Sequence, residues 1–219
     1  RDELVAAFGT DPGKIDVVPL GLGMADVASP TAAAELRARL RLADAPVVLS
    51  VAAALPHKNL ERLLEAFATL AGAPALVLTG HAGRISEPLA ARARELGIGD
   101  RVHLTGWLDA ADVEGLYRLA AVFAYPSLHE GFGMPVLEAM HRSVPVVCAD
   151  ATSLPEVAGD AAVLVDGRDA AALAGGIEQV LGDAALRADL VRRGRERAAQ
   201  FGWDRTARAA LASYERALA

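Results

Sequence analysis

Residues 122–140 read Val122–Phe123–Ala124–Tyr125–Pro126–Ser127–Leu128–His129–Glu130–Gly131–Phe132–Gly133–Met134–Pro135–Val136–Leu137–Glu138–Ala139–Met140. The run Val122–Tyr125 is continuously apolar, without polar alternation. A run of that kind suits a strand buried on both faces, as in a parallel sheet. Pro126, Gly131 and Gly133 turn the chain out of the strand, and the two glycines let a ligand approach the backbone. Pro135 fits the first turn of a helix, where its missing N–H costs little. Val136, Leu137 and Met140 then share one helical face. The stretch therefore reads as a strand, a glycine loop and an open helix N-terminus.

The same alternation extends along the chain. Further strand-like runs are Ile15–Val18, Val47–Val51, Ala75–Thr79, Arg101–Thr105, Val144–Cys148 and Ala161–Val165. Helical faces lie between them: Leu60, Leu63, Leu64, Phe67 and Leu70; then Leu89, Ala93 and Leu96, stopped by Gly97; then Val113, Leu116, Leu119 and Ala120. Strand–helix–strand alternation with short connections predicts βαβ units with right-handed crossovers. The fold class is α/β, a Rossmann-like doubly wound parallel sheet with a helical C-terminal segment. That segment reads as helices over Ala170–Leu181, Ala184–Phe201 and Trp203–Leu218, broken at Gly182–Asp183 and Gly202. No Pro/Ser linker or internal repeat interrupts the chain, so residues 1–219 read as one domain. Ala207, Leu211, Tyr214 and Leu218 line one face of the final helix, which needs cover from this domain or from a partner.

Composition narrows the functional classes. Of 219 residues, 53% are hydrophobic and 23% charged, enough to build a core and exclude disorder. Lys and Arg number 22 against 28 Asp and Glu, a net charge of −6. That balance disfavours a nonspecific nucleic-acid binder, which needs clustered cations. A single cysteine, Cys148, excludes an intrachain disulfide or a cysteine-cluster zinc site, and it reads as core. The longest nearly apolar stretch, Pro46–Pro56, falls short of the roughly 20 residues that span a bilayer. Arg1–Asp2–Glu3 opens the chain with charge where a signal peptide would need an apolar core. Position 1 is not methionine, so a longer parent chain is expected.

Ligands of an open parallel sheet bind at the carboxyl ends of its strands, near the switch point. After Val47–Val51 comes Pro56–His57–Lys58–Asn59 and a helix. Asn59 reads as its N-cap. Lys58, beside free helical N–H groups, suits a phosphate; alternatively it is a solvated lysine whose charge opposes the dipole. Glu130 and Glu138 flank the glycine loop and can accept hydrogen bonds from a polyol. The plainer alternative makes Glu130 a loop charge and Glu138 a complement to the helix dipole. A dinucleotide fingerprint fits poorly, since Gly21–Leu22–Gly23 leads to Asp26, and Gly131–Phe132–Gly133 leads to Val136. A Walker A loop and a G-x-S-x-G elbow are both absent. There is no Asp-x-Asp triplet, so metal independence is expected. His57, His81, His103, His129 and His141 lack ligand spacing, although His57 and His129 fall at the expected ligand edge.

The segment Ser127–Met140 resembles the E-x7-E signature of retaining GT-B glycosyltransferases of the GT4 type. Pro56–Phe67 resembles the family's lysine motif. Gly106–Trp107–Leu108, followed by Leu116–Tyr117, resembles its nucleobase-side loop. Leu154–Ala162 resembles a later sheet-edge loop, and Phe201–Gly202–Trp203 the entry to the final helix. The match runs over essentially the whole chain. It implies the C-terminal, donor-binding domain of a two-domain enzyme whose acceptor domain lies elsewhere, with the final helix, residues 203–219, packing on it.

By that resemblance Lys58 neutralises the donor diphosphate and Glu130 contacts hydroxyls of the transferred sugar. Backbone groups of Gly131, Phe132, Gly133 and Met134 reach the sugar and β-phosphate, and Glu138 holds the ribose. Two departures stand out. Ala53 replaces an arginine that commonly supports the lysine, a role His57 or the other domain would take over, and the loop Pro19–Gly23 is altered. The implied activity is metal-independent, retaining transfer of a mannose- or glucose-type hexose from a GDP- or UDP-linked donor to a hydroxyl acceptor (glycan, lipid or small molecule). The Pro–His–Lys–Asn form leans toward mannose. No cofactor and no nucleic acid is expected, and the setting is cytoplasmic, with any membrane contact made through the other domain. The isolated domain is expected to be inactive alone. A noncatalytic nucleotide-sugar-binding module, or a GT-B epimerase or phosphorylase, is the alternative.

Overall fold

A computed structural model describes residues 1–23, 27–80 and 86–218; Asp26 and His81 lie outside the described residues. Contacts gather the chain into two compact units, Arg1–Gly23 with Ala199–Ala219, and Met24–Ala198.

The larger unit carries six parallel strands: β1 (Val47–Val51), β2 (Ala75–Thr79), β3 (Val102–Gly106), β4 (Ala120–Tyr125), β5 (Val146–Ala149) and β6 (Ala162–Val165). Their order is β3-β2-β1-β4-β5-β6. Leu49 sits opposite Val77 of β2 on one side and Phe123 of β4 on the other. The winding therefore reverses between β1 and β4, where such sheets leave a crevice at their carboxyl edge. β2 and β5 are buried along their whole length, whereas the edge strands β3 and β6 are half-buried.

Helices α2 (Ala33–Leu40), α3 (Leu60–Thr69), α4 (Ser86–Glu95), α5 (Ala110–Leu119), α6 (Met134–His141), α7 (Leu154–Ala158), α8 (Ala170–Gly182) and α9 (Ala184–Ala198) belong to the same unit. Leu63, Leu64 and Phe67 of α3 are fully buried in one cluster with Val48, Leu76, Ile177 and Val180. Burying side chains of this size contributes about 1.5–3 kcal/mol each. Asp109, Asp169 and Asp183 start α5, α8 and α9 by accepting from Asp112, Ala171 and both Ala185 and Leu186 N–H groups.

β3, β5 and β6 begin at Val102, Val146 and Ala162, one or two residues after the runs read at Arg101, Val144 and Ala161, and four larger differences have a physical cause. Ile15–Val18 forms no strand: it belongs to the smaller unit, where no strand is available to pair it, and Val17 is exposed. Ala120 opens β4, opposite Val47, instead of extending the face of α5. Leu70 is extended and ends α3. α9 stops at Ala198, three residues before Phe201. Three short helices went unread: α1 (Asp2–Phe8) and α7 span too few turns to show a period, and α2, as long as α6, buries only Leu36 and so presents no apolar face.

The smaller unit joins α1 and residues 9–23 to α10 (Trp203–Leu218). The Leu22 N–H donates to Phe201 O at 2.9 Å, and Thr206 Oγ1 to Pro19 O at 2.7 Å. Asp16 accepts from Ser213 and pairs with Arg216. A Cβ on Gly21 would fall 2.6 Å from the Trp203 ring. Glycine at 21 is thus a packing requirement of this unit. On α10, Leu211, Tyr214 and Leu218 are exposed. Among the described residues no helix is long and apolar enough to cross a membrane.

Two helical glycines give the packing an opposite-sign test. In α5, a Cβ on Gly115 would meet Thr31 O at 2.5 Å, whereas on Gly175 of α8 it meets nothing within 4 Å. Gly115→Ala is expected to destabilise by about 1–3 kcal/mol, as overpacking does. Gly175→Ala is expected to stabilise by about 0.5–1 kcal/mol. Denaturant unfolding of both variants checks this; a gain at 115 would mean that α5 is not seated as described.

Candidate functional site

The loops after β1 and β4 meet at the switch point. Pro56–Lys58 forms one 3-10 turn whose His57 carbonyl accepts from the Leu128 N–H at 2.8 Å and from Ser127 Oγ at 3.2 Å. The turn is thereby fixed to the loop that carries Glu130. Lys58 Nζ lies 2.6 Å from Glu130 Oε1 and donates to the Tyr125 hydroxyl at 3.0 Å. Tyr125 in turn donates to the same Glu130 oxygen at 2.8 Å. The lysine and glutamate side chains are only 14% and 11% exposed, so this pair is largely withdrawn from water. Burial alone would raise the Glu130 carboxyl, but the hydrogen bonds from Lys58 and Tyr125 and the lysine charge outweigh it and hold the group below its ordinary value.

Asn59 does not cap α3 through its side chain. It sits at φ 59°, and Nδ2 donates instead to Gly167 O at 2.6 Å and Pro126 O at 3.2 Å. The amide is aimed across the sheet edge and ties the loop after β1 to those after β4 and β6. The loop after β5 supplies a further brace. The Glu130 N–H donates to Thr152 Oγ1 at 3.0 Å, and Ser153 Oγ donates to the Glu130 and Phe132 carbonyls at 3.1 and 2.8 Å.

The glycine loop opens into α6 as its sequence suggests. Gly133 is at φ 104° with no side-chain cap on the helix, and Pro135 lies in the first turn. A Cβ on Gly133 would meet Leu154 Cδ2 at 2.7 Å, while Gly131 faces open space. Met134 starts the helix, so the leading N–H groups of α6 lie beside the loop that carries Glu130.

Glu138 lies in the second turn of α6 and is buried. Its Oε2 accepts from the Tyr117 hydroxyl at 3.2 Å. Arg142 stacks 4.9 Å from the Tyr117 ring centre and pairs with Glu114 at 2.5 Å. Burial pushes the Glu138 carboxyl up, against the Tyr117 hydrogen bond and the Arg142 charge. The two glutamates are thus biased in opposite directions by their surroundings.

Gly106, Trp107 and Leu108 stand at the carboxyl end of β3, with β2 between that strand and β1. Gly106 is at φ 66° and Trp107 is exposed. His57 and His129 are also exposed. Cys148 is buried in β5, where burial pushes its thiol up to about 12. Among the described residues no three His, Cys, Asp or Glu side chains gather as a metal-ligand set. Sequence reasoning missed Tyr125, Ser127, Thr152 and Ser153. Tyr125 carried a usable signal, a hydroxyl closing an otherwise apolar strand at its carboxyl end.

With this geometry in view, relatives place the chain. The sequence pattern of the family described as glycosyl transferases group 1 matches residues 33–197. The O-antigen chain mannosyltransferase B of Escherichia coli is 31% identical over 98% of this chain and 58% of its own length. The D-inositol 3-phosphate glycosyltransferase of Mycolicibacterium smegmatis is 37% identical over 99% of this chain and 50% of its own. Anabaena HepE, solved in complex with UDP-glucose, superposes with a TM-score of 0.77 at 25% identity, covering 86% of this chain and 54% of that one. The chain belongs to the group 1 glycosyltransferases, and its fold is that of the C-terminal domain of a GT-B enzyme. It spans about half the length of the curated relatives it matches.

The opposite bias of the glutamates is measurable. Glu138→Gln keeps an acceptor for Tyr117 and removes a buried charge. A raised carboxyl pKa means that the wild type loses stability as pH rises through that value. The variant is therefore expected to melt higher at pH 8, by about 2–4 °C per kcal/mol of relief. The gain should shrink toward pH 4, where Glu138 is itself protonated. A variant that melts lower at pH 8 would contradict the dominance of burial.

Proposed function

We propose that this chain is the donor-binding half of a glycosyltransferase that moves a hexose from a nucleoside-diphosphate sugar to a hydroxyl acceptor, with retention and without a metal. The observation that carries the reading is the meeting of Lys58 and Glu130, from separate loops, at the switch point. A diphosphate arriving there competes with Glu130 for the ammonium and takes the positive charge as the sugar bond breaks. The leading N–H groups of α6, at Gly133 and Met134, add to that field. Preorganised charge aimed at a developing anion is the kind of effect that dominates such barriers. His57, beside Lys58, supplements it where Ala53 offers no cation.

Glu130, released from Lys58 and still held by the Tyr125 hydroxyl, accepts from hydroxyls of the transferred sugar, with Gly131 and Phe132 alongside. Glu138 holds the ribose. Gly106, Trp107 and Leu108 face the nucleobase side. The name of the Escherichia coli relative and the Pro56–Asn59 motif support a mannose-type donor, while the UDP-glucose complex of Anabaena HepE supports a glucose-type one. The acceptor is a glycan, lipid or small molecule bound chiefly by a second domain of the same enzyme, which the exposed face of α10 covers. The reading requires no cofactor and places the enzyme in the cytoplasm. The half-length match supports one further reading, a nucleotide-sugar-binding module inactive on its own.

In the full-length protein, Lys58→Ala is expected to lower kcat/KM by about 10²–10³-fold, the scale of losing one transition-state charge contact. Near wild-type turnover would overturn the diphosphate assignment. Glu130→Ala is expected to abolish transfer while UDP or GDP still binds by calorimetry. Loss of nucleotide binding with transfer retained would contradict the sugar role.

A further inference from the structure

Both glutamates of the site end on a tyrosine. Tyr125 donates to Glu130 Oε1 at 2.8 Å, and Tyr117 donates to Glu138 Oε2 at 3.2 Å. The two tyrosines are joined through one ring. Tyr117 packs against Phe123 with centroids 5.7 Å apart and planes tilted by 34°, and Phe123 stacks on Tyr125 at 5.8 Å and 19°. Phe123 and Tyr125 share a face of β4, two residues apart, while Tyr117 reaches them from the last turns of α5. All three rings are buried to within 1% of completeness. Arg142 lies 4.9 Å from the Tyr117 ring centre, whereas Lys58, 5.5 Å from the Tyr125 ring centre, sits beyond that ring's hydroxyl edge. Burial and the adjacent carboxylates push both phenols above their ordinary range, so both hydroxyls remain donors.

Plain packing accounts for one buried tyrosine with a satisfied hydroxyl. It does not account for two hydroxyls, one at each end of a three-ring stack, meeting the two glutamates of one motif. A carboxylate that grips ligand hydroxyls loses affinity when it swings, and a fixed donor on one of its oxygens removes that freedom. Glu130 has a second need. Lys58 is its other main partner and is also the group that a diphosphate attracts, so Tyr125 stays on the carboxylate when the lysine turns away.

We propose that Tyr117 and Tyr125, at the two ends of one aromatic stack, are positioning residues: Tyr125 aims Glu130 at the transferred sugar and Tyr117 aims Glu138 at the ribose. This rests on the roles given to the two glutamates above. The test uses full-length protein and titrates wild type, Tyr125→Phe and Tyr117→Phe with UDP, GDP, UDP-glucose, GDP-mannose, and 2′,3′-dideoxy-UDP and -GDP. Two ratios are read on the nucleotide that binds: nucleotide against nucleotide sugar, and dideoxynucleotide against nucleotide. Losing a hydrogen bond to a charged group is worth about tenfold or more. Tyr125→Phe is expected to shift the sugar ratio by about that factor and leave the ribose ratio within about twofold. Tyr117→Phe is expected to do the reverse. In Tyr125→Phe the acid limb of kcat/KM should also move to higher pH, because Glu130 loses a donor that favours its ionised form.

Equal loss of both ratios in both variants would make the stack simple structural support, and unchanged ratios would remove the tyrosines from the site; either overturns the proposal. If the wild type itself shows no sugar or ribose dependence, the glutamate roles fail first and the proposal falls with them. Should Tyr117→Phe not fold, the sugar ratio and acid limb of Tyr125→Phe decide the matter alone.

Discussion

A lysine and a glutamate at 2.6 Å, under a tyrosine hydroxyl, hold the carboxyl edge of this sheet together. Their partnership exists because the winding reverses between β1 and β4. The chain leaves those neighbouring strands toward opposite faces, and the loops that follow are brought side by side. Asn59, Ser127, Thr152 and Ser153 then hydrogen-bond across that edge, so the loops after β1, β4, β5 and β6 brace one another. A loop carrying charge at a sheet edge would ordinarily be mobile; here its backbone groups are committed.

The electrostatics divide the two acids of one short motif into different kinds of group. Glu130 accepts from several donors and is held ionised despite its burial. Glu138 has fewer, and burial prevails. Eight residues apart in sequence, they differ because one sits in a loop against Lys58 and the other on a helix face against Tyr117. A buried carboxylate with little compensation costs stability and is the sort of local conflict that functional sites retain. The stack Tyr117–Phe123–Tyr125 connects the two environments through the core itself.

Much of the fold was legible because parallel strands buried on both faces leave continuous apolar runs, and β1 and β2 end where those runs end. Ile15–Val18 has the same local character and forms no strand, since a strand needs a neighbour and composition cannot supply one. Ala120 continues the apolar face of α5 yet pairs with Val47, an outcome decided by the sheet. Asn59 has the residue type of a cap, but its amide reaches Gly167, 108 positions away. Glu130, Glu138, Lys58 and the glycines between them could be singled out because their residue types carry charge or backbone freedom. Ser127, Thr152 and Ser153 could not, because a hydroxyl declares no partner in one dimension; Tyr125 showed only its place at the end of an apolar strand.

The sequence by itself determined the alternation of strands and helices, the glycine loop entering α6, and the family resemblance, since periodicity, proline and glycine placement and motif order are local properties of the chain. Tertiary structure decided which carboxylate meets which donor, that Lys58 faces Glu130, and that one aromatic stack reaches both glutamates. Those outcomes depend on strand order and on burial, and both arise only when segments far apart in the chain are packed against one another.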